Sequence, residues 1–413
     1  MKDTDLYRQI LGIESPWEVS SVALDAKALR IDVVLVHKGG QRWSCPECQE
    51  TCGLHDHADE RSWRHLDSCQ FQTIIRARLP RVRCPEHGVR LVRVPWAEPG
   101  SRFTNLFEAL AVRVLRETSV SGGAGLLKVS WDEAQGLMAR AVERGLAARG
   151  ELDVREIGVD EKSVGRRLGF LTLVYDLRGT RVVHVAEGRS KEALESFFLE
   201  LEPYQLARIK AMAMDMAKPY IAVAEEALCH PEEQMVFDRF HVMKAMNQAV
   251  DEVRRAEHKE LLRQGDRRLV QTMHMLRYAE TNLPERYAPR LAELKASNLK
   301  VARAWALKES LRGLWECESL AKARAFWADW HDWASRSQLA PVVRVAQMIK
   351  RHIGGILNYY RHRLTNAIAE CTNGVIEAIK RTARGFRNLK NLKTAILFHC
   401  GGLKLEKVSL GAG

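Results

Sequence analysis

Apolar and polar positions change rhythm three times along the chain, and each change predicts a different kind of structure. In the first hundred residues, Ile31-Asp32-Val33-Val34-Leu35-Val36 and Phe71-Gln72-Thr73-Ile74-Ile75-Arg76-Ala77-Arg78-Leu79 are rich in β-branched residues and predict strands, the second closed by Pro80. Pro95-Trp96-Ala97-Glu98-Pro99-Gly100 then marks a boundary. From Thr104 to Glu117 the spacing turns helical, with Leu106, Phe107, Leu110, Val114 and Leu115 in one stripe. A short glycine-containing segment, Ser119 to Lys128, follows. Ser130-Trp131-Asp132-Glu133 opens a third helix as a capping box, with Leu137, Met138, Ala141 and Val142 on one side. Helix, tight turn and helix within about 50 residues suit a helix-turn-helix.

A third texture starts at Glu156. Ile157-Gly158-Val159-Asp160, Phe170 to Tyr175 and Arg181 to Val185 predict three short strands joined by turns at Val164–Gly169 and Asp176–Thr180. A helix fits Lys191 to Leu201, a fourth strand Ile209 to Met214, a helix the residues after Pro219, and a fifth strand Gln234 to Phe237. The order βββ-α-β-α-β is that of a ribonuclease-H-like domain. Everything from about Arg239 to Arg363 reads as helix, with Met243, Met246, Val250 and Val253 at heptad-like spacing. The expected architecture is a multidomain α+β/α chain: a strand-rich module over 1–98, a helix-turn-helix over 99–150, an α/β core over 151–238, an all-helical insertion over 239–363, and the core's last helix with a basic tail over 364–413.

Composition narrows the class. The 413 residues leave room for two to four domains, and 28% charged with 46% hydrophobic residues is globular usage, not that of a disordered or fibrous chain. No run of about 18 apolar residues predicts a membrane helix, and the first residues lack the apolar stretch of a secretory signal. Lys and Arg number 64 against 52 Asp and Glu, a net charge of +12 that points to a polyanionic partner, nucleic acid first. Nine cysteines, an odd number, fit a reducing cytoplasm better than a disulfide framework.

Five of those cysteines fall between Cys45 and Cys84. Cys45-Pro46-Glu47-Cys48 and Cys84-Pro85-Glu86-His87 are two ligand pairs with two residues between the members of each, the spacing of a tetrahedral structural zinc site; Cys52, His55, His57, His65 and Cys69 are rival ligands. Residues 61–150 hold 15 Lys and Arg against 8 Asp and Glu, which favours DNA binding by the helix-turn-helix, with Gln135 and Arg140 as groove-facing candidates. Asp160 closes the first core strand and Asp215 follows the fourth. In the predicted topology these strands are neighbours, so two carboxylates meet at one sheet edge, and a divalent cation such as Mg²⁺ would relieve their repulsion. A third acid should come from the segment Leu364 to Arg384, where Glu370 and Glu377 lie roughly 10 Å apart along a helix and cannot both serve one site. Chemistry alone leaves that choice open. Lys380, Arg381, Arg384 and Arg387 form a basic run suited to holding phosphates beside the metal site.

Taken together, Ile157-Gly158-Val159-Asp160-Glu161, Met214-Asp215-Met216, Phe237-Asp238-Arg239-Phe240-His241-Val242, Leu364-Thr365-Asn366 through Glu370 to Asn373, and Gly385-Phe386-Arg387-Asn388 resemble the ISL-three family of bacterial insertion-sequence transposases. The amino-terminal cysteine pair, Trp63-Arg64-His65-Leu66-Asp67 and Arg83-Cys84-Pro85 extend the likeness over nearly the whole chain. The resemblance implies a DDE transposase whose triad is Asp160, Asp215 and Glu370, with Mg²⁺ or Mn²⁺ at the catalytic site, structural Zn²⁺ in the first module, and active-site support from Asp238, His241 and Asn373. It also implies binding of the terminal inverted repeats in double-stranded DNA, strand cleavage and strand transfer, and a homodimer on DNA. Cys371, where the family pattern usually has glycine, and His87, where a cysteine is common, are departures. Two other readings remain: a zinc/helix-turn-helix regulator needing no divalent ion, and a ribonuclease-H-like nuclease that cuts without joining. Tyr359 and Tyr360 precede rather than follow their Arg/His cluster, which sets a tyrosine recombinase aside.

Overall fold

The computed structural model describes residues 2–165, 168–364 and 367–406; Thr365 and Asn366 of the quoted motif lie outside these. It divides into two compact units, one formed by Met1–Ala148 with the segment from Leu403, the other by Arg149–Gly402.

The first unit opens with helix α1 (Asp3–Ile10), followed by strands β1 (Trp17–Asp25), β2 (Arg30–His37), β3 (Trp43–Ser44), β4 (Thr51–Cys52), β5 (Leu54–Arg64), β6 (Gln72–Cys84) and β7 (Gly88–Leu91). The sheet runs β1-β2-β6-β5 with β7 also on β6, while β3 and β4 form a separate small hairpin. Strict alternation on β2 and β6 buries Ile31, Val33 and Leu35 against Thr73, Ile75, Ala77 and Leu79. Pro80 does not close β6, contrary to the sequence reading. The strand runs on to Cys84, with Pro80 opposite His57 where the β5 register is irregular and its carbonyl accepting the Val92 N–H at 3.0 Å. A proline is tolerated where the ladder is already broken. Nor is the stretch around Pro95 a boundary between units, because Trp96 is buried against Trp17 and Trp63 at 4.9 and 5.6 Å between ring centroids.

Helices α2 (Asn105–Glu117), α3 (Val120–Leu127) and α4 (Trp131–Ala147) follow in the same unit. Their caps are those the sequence encodes: Thr104 on α2, Ser119 on α3 and the complete Ser130/Glu133 box on α4. The residues from Leu403 leave the second unit, where the sequence placed them. Leu403 and Leu405 pack over Gly145 of α4, where a Cβ would come within 2.9 Å of the Leu403 Cβ.

The second unit contains β8 (Glu156–Gly165), β9 (Gly169–Asp176), β10 (Arg181–Glu187), α5 (Lys191–Phe198), the short α6 (Pro203–Leu206), β11 (Ala211–Met214), α7 (Lys218–Ala227), the short α8 (Pro231–Gln234) and β12 (Met235–Phe237). The sheet order is β10-β9-β8-β11-β12: the first three strands are antiparallel, and β11 lies parallel between β8 and β12. Ile157, Val159, Val174, Met212 and Met214 join one core with Leu194 and Phe197 of α5 and Tyr220 and Val223 of α7. Leu171, Leu173, Tyr175 and Ala213 join a second core with Ala369 and Ile376 of α16 (Ala367–Thr382) and Leu392 and Ile396 of α17 (Leu389–Cys400). Asp160 does not end β8, as expected from sequence, because the strand continues in a hairpin with β9.

Between β12 and α16 lie α9 (Arg239–Arg263), α10 (Met273–Arg277), α11 (Ala288–Lys295), α12 (Lys300–Arg312), α13 (Leu320–Arg336), α14 (Ala340–Leu357) and α15 (Tyr359–His362), the expected helical insertion. Trp315 and Trp330 are core and Trp327 packs against it, whereas Trp333 is exposed. Gly355 of α14 lets that helix approach β12: a Cβ there would sit 2.5 Å from the Phe237 ring. Gly355→Ala should therefore lower stability by about 1–3 kcal/mol through overpacking, read as a fall in the urea midpoint of the full chain. None of the described helices is long and apolar enough to cross a membrane.

Candidate functional site

The first unit gathers four metal-type ligands. Cys45 and Cys48 lie in the loop joining β3 to β4; Cys84 ends β6 and His87 precedes β7. Each pair thus occupies a hairpin tip, and β6 carries the second pair to the first, Cys84 lying 36 positions after Cys48. The ligand atoms of all four lie within 4.8 Å of one another. Cys48 Sγ to Cys84 Sγ is 3.6 Å, Cys84 Sγ to His87 Nδ1 3.6 Å and Cys45 Sγ to His87 Nδ1 3.9 Å. With Zn–S near 2.3 Å, the edges of a tetrahedron are about 3.8 Å long, so the donor set fits zinc. Two of the rival histidines are engaged elsewhere, His57 with His37 at 2.7 Å and buried His65 with the Thr104 hydroxyl at 2.9 Å, and His55 is exposed and outside the cluster.

His65 links the sheet to the α2 cap, and burial pushes its pKa down to about 4. A folded value below the ordinary one near 6.5 means that the unfolded chain takes up the proton first. Stability from this group is present above pH 6.5 and is lost as pH falls towards 4, by roughly 3 kcal/mol in full. Comparing urea midpoints of wild type and His65→Gln from pH 7 to pH 4 should show a smaller decline in the variant.

The helix-turn-helix candidates are placed differently from expectation. Gln135 is only 7% exposed, and its amide has no hydrogen-bond partner among the described residues, so it does not face a groove. Arg140 is bound to Glu108, itself 1% exposed, at 2.9 Å, and Arg144 holds the other carboxylate oxygen at 3.0 Å. Packing of α4 on α2 claims both candidates. A pattern of side-chain types cannot reveal that a buried acid on another helix binds Arg140.

In the second unit the strand register settles the aspartates' neighbourhood. Ala211, Met212 and Ala213 pair with Glu156, Ile157 and Gly158, so two residues further on Asp215 comes level with Asp160 on the adjoining strand. The Asn373 amide donates to Asp160 Oδ2 at 2.5 Å, and the Glu161 N–H to Oδ1 at 2.8 Å. Burial raises the Asp160 pKa above the usual carboxylate value, Asn373 and Glu161 oppose that, and the charge of Asp215 adds to it. Asp215 accepts the Ala217 N–H at 2.9 Å, and His241 Nδ1 lies 4.0 Å from its other oxygen.

Glu370 is exposed in the first turn of α16, three residues before Asn373, which puts it on the same helix face about 4.5 Å along the axis. Glu377 is committed elsewhere, paired at 2.9 Å with both Lys162 and Lys380. Among the described residues, Asp160, Asp215 and Glu370 do not close to within 4.8 Å of one another. Asp238 caps α9 by accepting the Phe240 N–H at 3.0 Å. Lys380 also donates to the Ser163 carbonyl at 3.0 Å, which makes it a tie between α16 and β8 more than a free cation; Arg381, Arg384 and Arg387 are exposed.

Two further residues join the site unannounced. Lys162 reaches the Asn373 carbonyl as well as Glu377, and the Tyr175 hydroxyl donates to the Asn373 side-chain oxygen at 3.4 Å. The position of Lys162, two along the strand from Asp160, was a usable signal; nothing local pointed to Tyr175.

Residues 157–396 match a family described as transposase, residues 41–87 one described as zinc-finger of transposase IS204/IS1001/IS1096/IS1165, and residues 92–142 one described as helix-turn-helix domain of transposase family ISL3. The chain is 28% identical over 349 residues to the transposase for insertion sequence element IS1001 of Bordetella parapertussis, covering 83% of this chain and 85% of that protein. It is 27% identical over 419 residues to the transposase for insertion sequence element IS1557 of Mycobacterium tuberculosis, covering 94% of this chain and 93% of that protein.

Proposed function

This chain belongs to the ISL3 family of transposases, with its zinc-finger and DNA-binding helix-turn-helix domains, and from that premise we propose that Asp160, Asp215 and Glu370 carry DNA strand cleavage and strand transfer on a ribonuclease-H-like core. The observation that carries the proposal is the register of the parallel strands β8 and β11, which brings Asp215, just past the end of β11, level with Asp160 on β8, with α16 fastened to Asp160 through Asn373. Carboxylate oxygens are hard donors suited to Mg²⁺ or Mn²⁺, and two such ions, when bound, would supply Lewis-acid activation of the attacking oxygen and stabilisation of the leaving 3′ oxygen. The protein's own part is positional. Asn373 fixes the Asp160 carboxylate, Lys162 and Lys380 fix the helix bearing Glu370, and His241 stands beside Asp215.

Exposed Arg381, Arg384 and Arg387 would hold backbone phosphates near the acids, while the first unit binds the terminal inverted repeats of the insertion sequence. Two transposon ends must be held together for joining, so the working form is a homodimer on DNA. The test is incubation of the full chain with end-containing DNA in Mg²⁺ or in EDTA, scored for both cleavage and joining. Mg²⁺-dependent cutting and joining is the expected result. Cutting without joining would reduce the protein to a nuclease, and DNA binding with neither would leave a regulator.

A further inference from the structure

The motif following β12 and Trp315 of the insertion meet beside Glu370, at a cavity whose other wall residues have no part in the proposed cleavage chemistry. Between α9, the end of α12, α15 and the start of α16 lies a cavity of about 460 Å³, its wall formed by Phe240, Arg239, Arg312, Trp315, Tyr359 and Glu370 among others. The Arg239 guanidinium lies over the Trp315 ring, 5.3 Å from its centroid. Phe240 is 54% exposed at the rim, an unusual position for a phenyl ring in a water-soluble helix, and it adjoins His241 beside Asp215. Trp315 is only 6% exposed, so it serves as the buried platform on which Arg239 rests.

The wall holds four aromatic rings, of which Phe237 and Trp315 are buried and Phe240 and Tyr359 are accessible, with two guanidinium groups and the carboxylates of Glu370 and of Asp238, the α9 cap. Rings offer flat faces for stacking, guanidinium groups attract a phosphate, and a carboxylate can accept from a base amino group. The volume admits a single nucleobase with its sugar, and it is too confined for a duplex.

We propose that this cavity receives one nucleotide swung out of the duplex at the cleavage point, its base stacked against Phe240 and Tyr359 and its phosphate facing Arg239, which itself lies over the Trp315 ring. The proposal rests on the assignment of the neighbouring carboxylates to DNA cleavage. It adds a reason for Glu370 to stand in the cavity wall: extrusion would draw the scissile strand towards the acid. Taking a base out of the stack costs a few kcal/mol, and the pocket would offset that cost by stacking.

The experiment uses the full chain, Mg²⁺ and a set of transposon-end duplexes, each unpaired by one mismatch at a single position around the cut. Phe240→Ala and Arg239→Ala alter exposed side chains, so both should fold; circular dichroism checks this. Each is expected to cut fully paired DNA about tenfold more slowly than wild type, and to regain most of that loss on the duplex mismatched at one particular position. Permanganate or 2-aminopurine probing of the duplex bound to Glu370→Gln protein, which does not cut, should report unstacking at the same position. Equal slowing on every duplex with no unstacked position would overturn the pocket while leaving the cleavage assignment standing. Absence of cutting by wild type would instead defeat the cleavage assignment itself.

Discussion

Replacing Asp160, Asp215 or Glu370 singly with alanine should lower DNA strand cleavage by roughly a thousandfold or more, about 4 kcal/mol of transition-state stabilisation, while binding to transposon ends should stay within a few-fold of wild type. The asymmetry follows from the two-unit organisation: the acids sit in Arg149–Gly402, whereas the zinc-finger and helix-turn-helix lie in the other unit. Binding is read by gel shift at fixed salt and cleavage on labelled ends. Glu377→Ala is the discriminating control. Glu377 neutralises Lys162 and Lys380, so its loss should perturb α16 and slow cleavage modestly without abolishing it. If Glu377→Ala were as inactive as Asp160→Ala and Glu370→Ala retained cutting, the third acid would have to be reassigned. Asn373→Ala tests positioning: it frees the Asp160 carboxylate and should cut slowly, with partial recovery at raised Mg²⁺.

The parts legible in the sequence are those whose cause is local. Ser119, Ser130 and Glu133 announce helix starts because capping groups bond backbone within one turn, and α3 and α4 begin where those residues predict. The two cysteine-containing pairs announce ligands because tetrahedral chemistry sets their spacing, and they do converge. The strand succession from Ile157 to Phe237 was readable from short apolar runs, and the expected adjacency of the first and fourth strands is the observed pairing of β8 with β11. The errors share the opposite character. Gln135 is buried in the packing of its helix, and Arg140 is bound by Glu108 on a different helix. Leu403 and Leu405 return to α4, more than 250 residues earlier in the chain, a contact no local pattern encodes. The choice between Glu370 and Glu377 was open to chemistry because both lie on one stripe. What separates them in the fold is Lys162, a residue from the sheet.

Removing zinc from the full chain should abolish DNA binding by its first unit, the second large effect. The β3–β4 hairpin has two residues per strand, far too few to persist alone, and the four ligands join its tip, with Cys45 and Cys48, to the end of β6. Cys45, Cys52 and Cys84 are buried in the same core as Trp17, Trp43 and Trp96, so losing the metal exposes the tryptophan cluster and not merely a loop. Structural zinc contributes about 10–16 kcal/mol of apparent binding free energy in small domains, comparable to the entire stability of an ordinary one. Elemental analysis should find one zinc per chain. Cys84→Ser, or dialysis against a strong chelator, should eliminate it, red-shift the tryptophan emission and weaken end binding at least a hundredfold. Cys69→Ser, an exposed position outside the ligand set, should change none of these. A zinc-depleted chain that still bound ends with undiminished affinity would show that the four ligands have another purpose. Restoration by added Zn²⁺ but not by Mg²⁺ would separate this site from the carboxylates, whose oxygen donors prefer the harder ion.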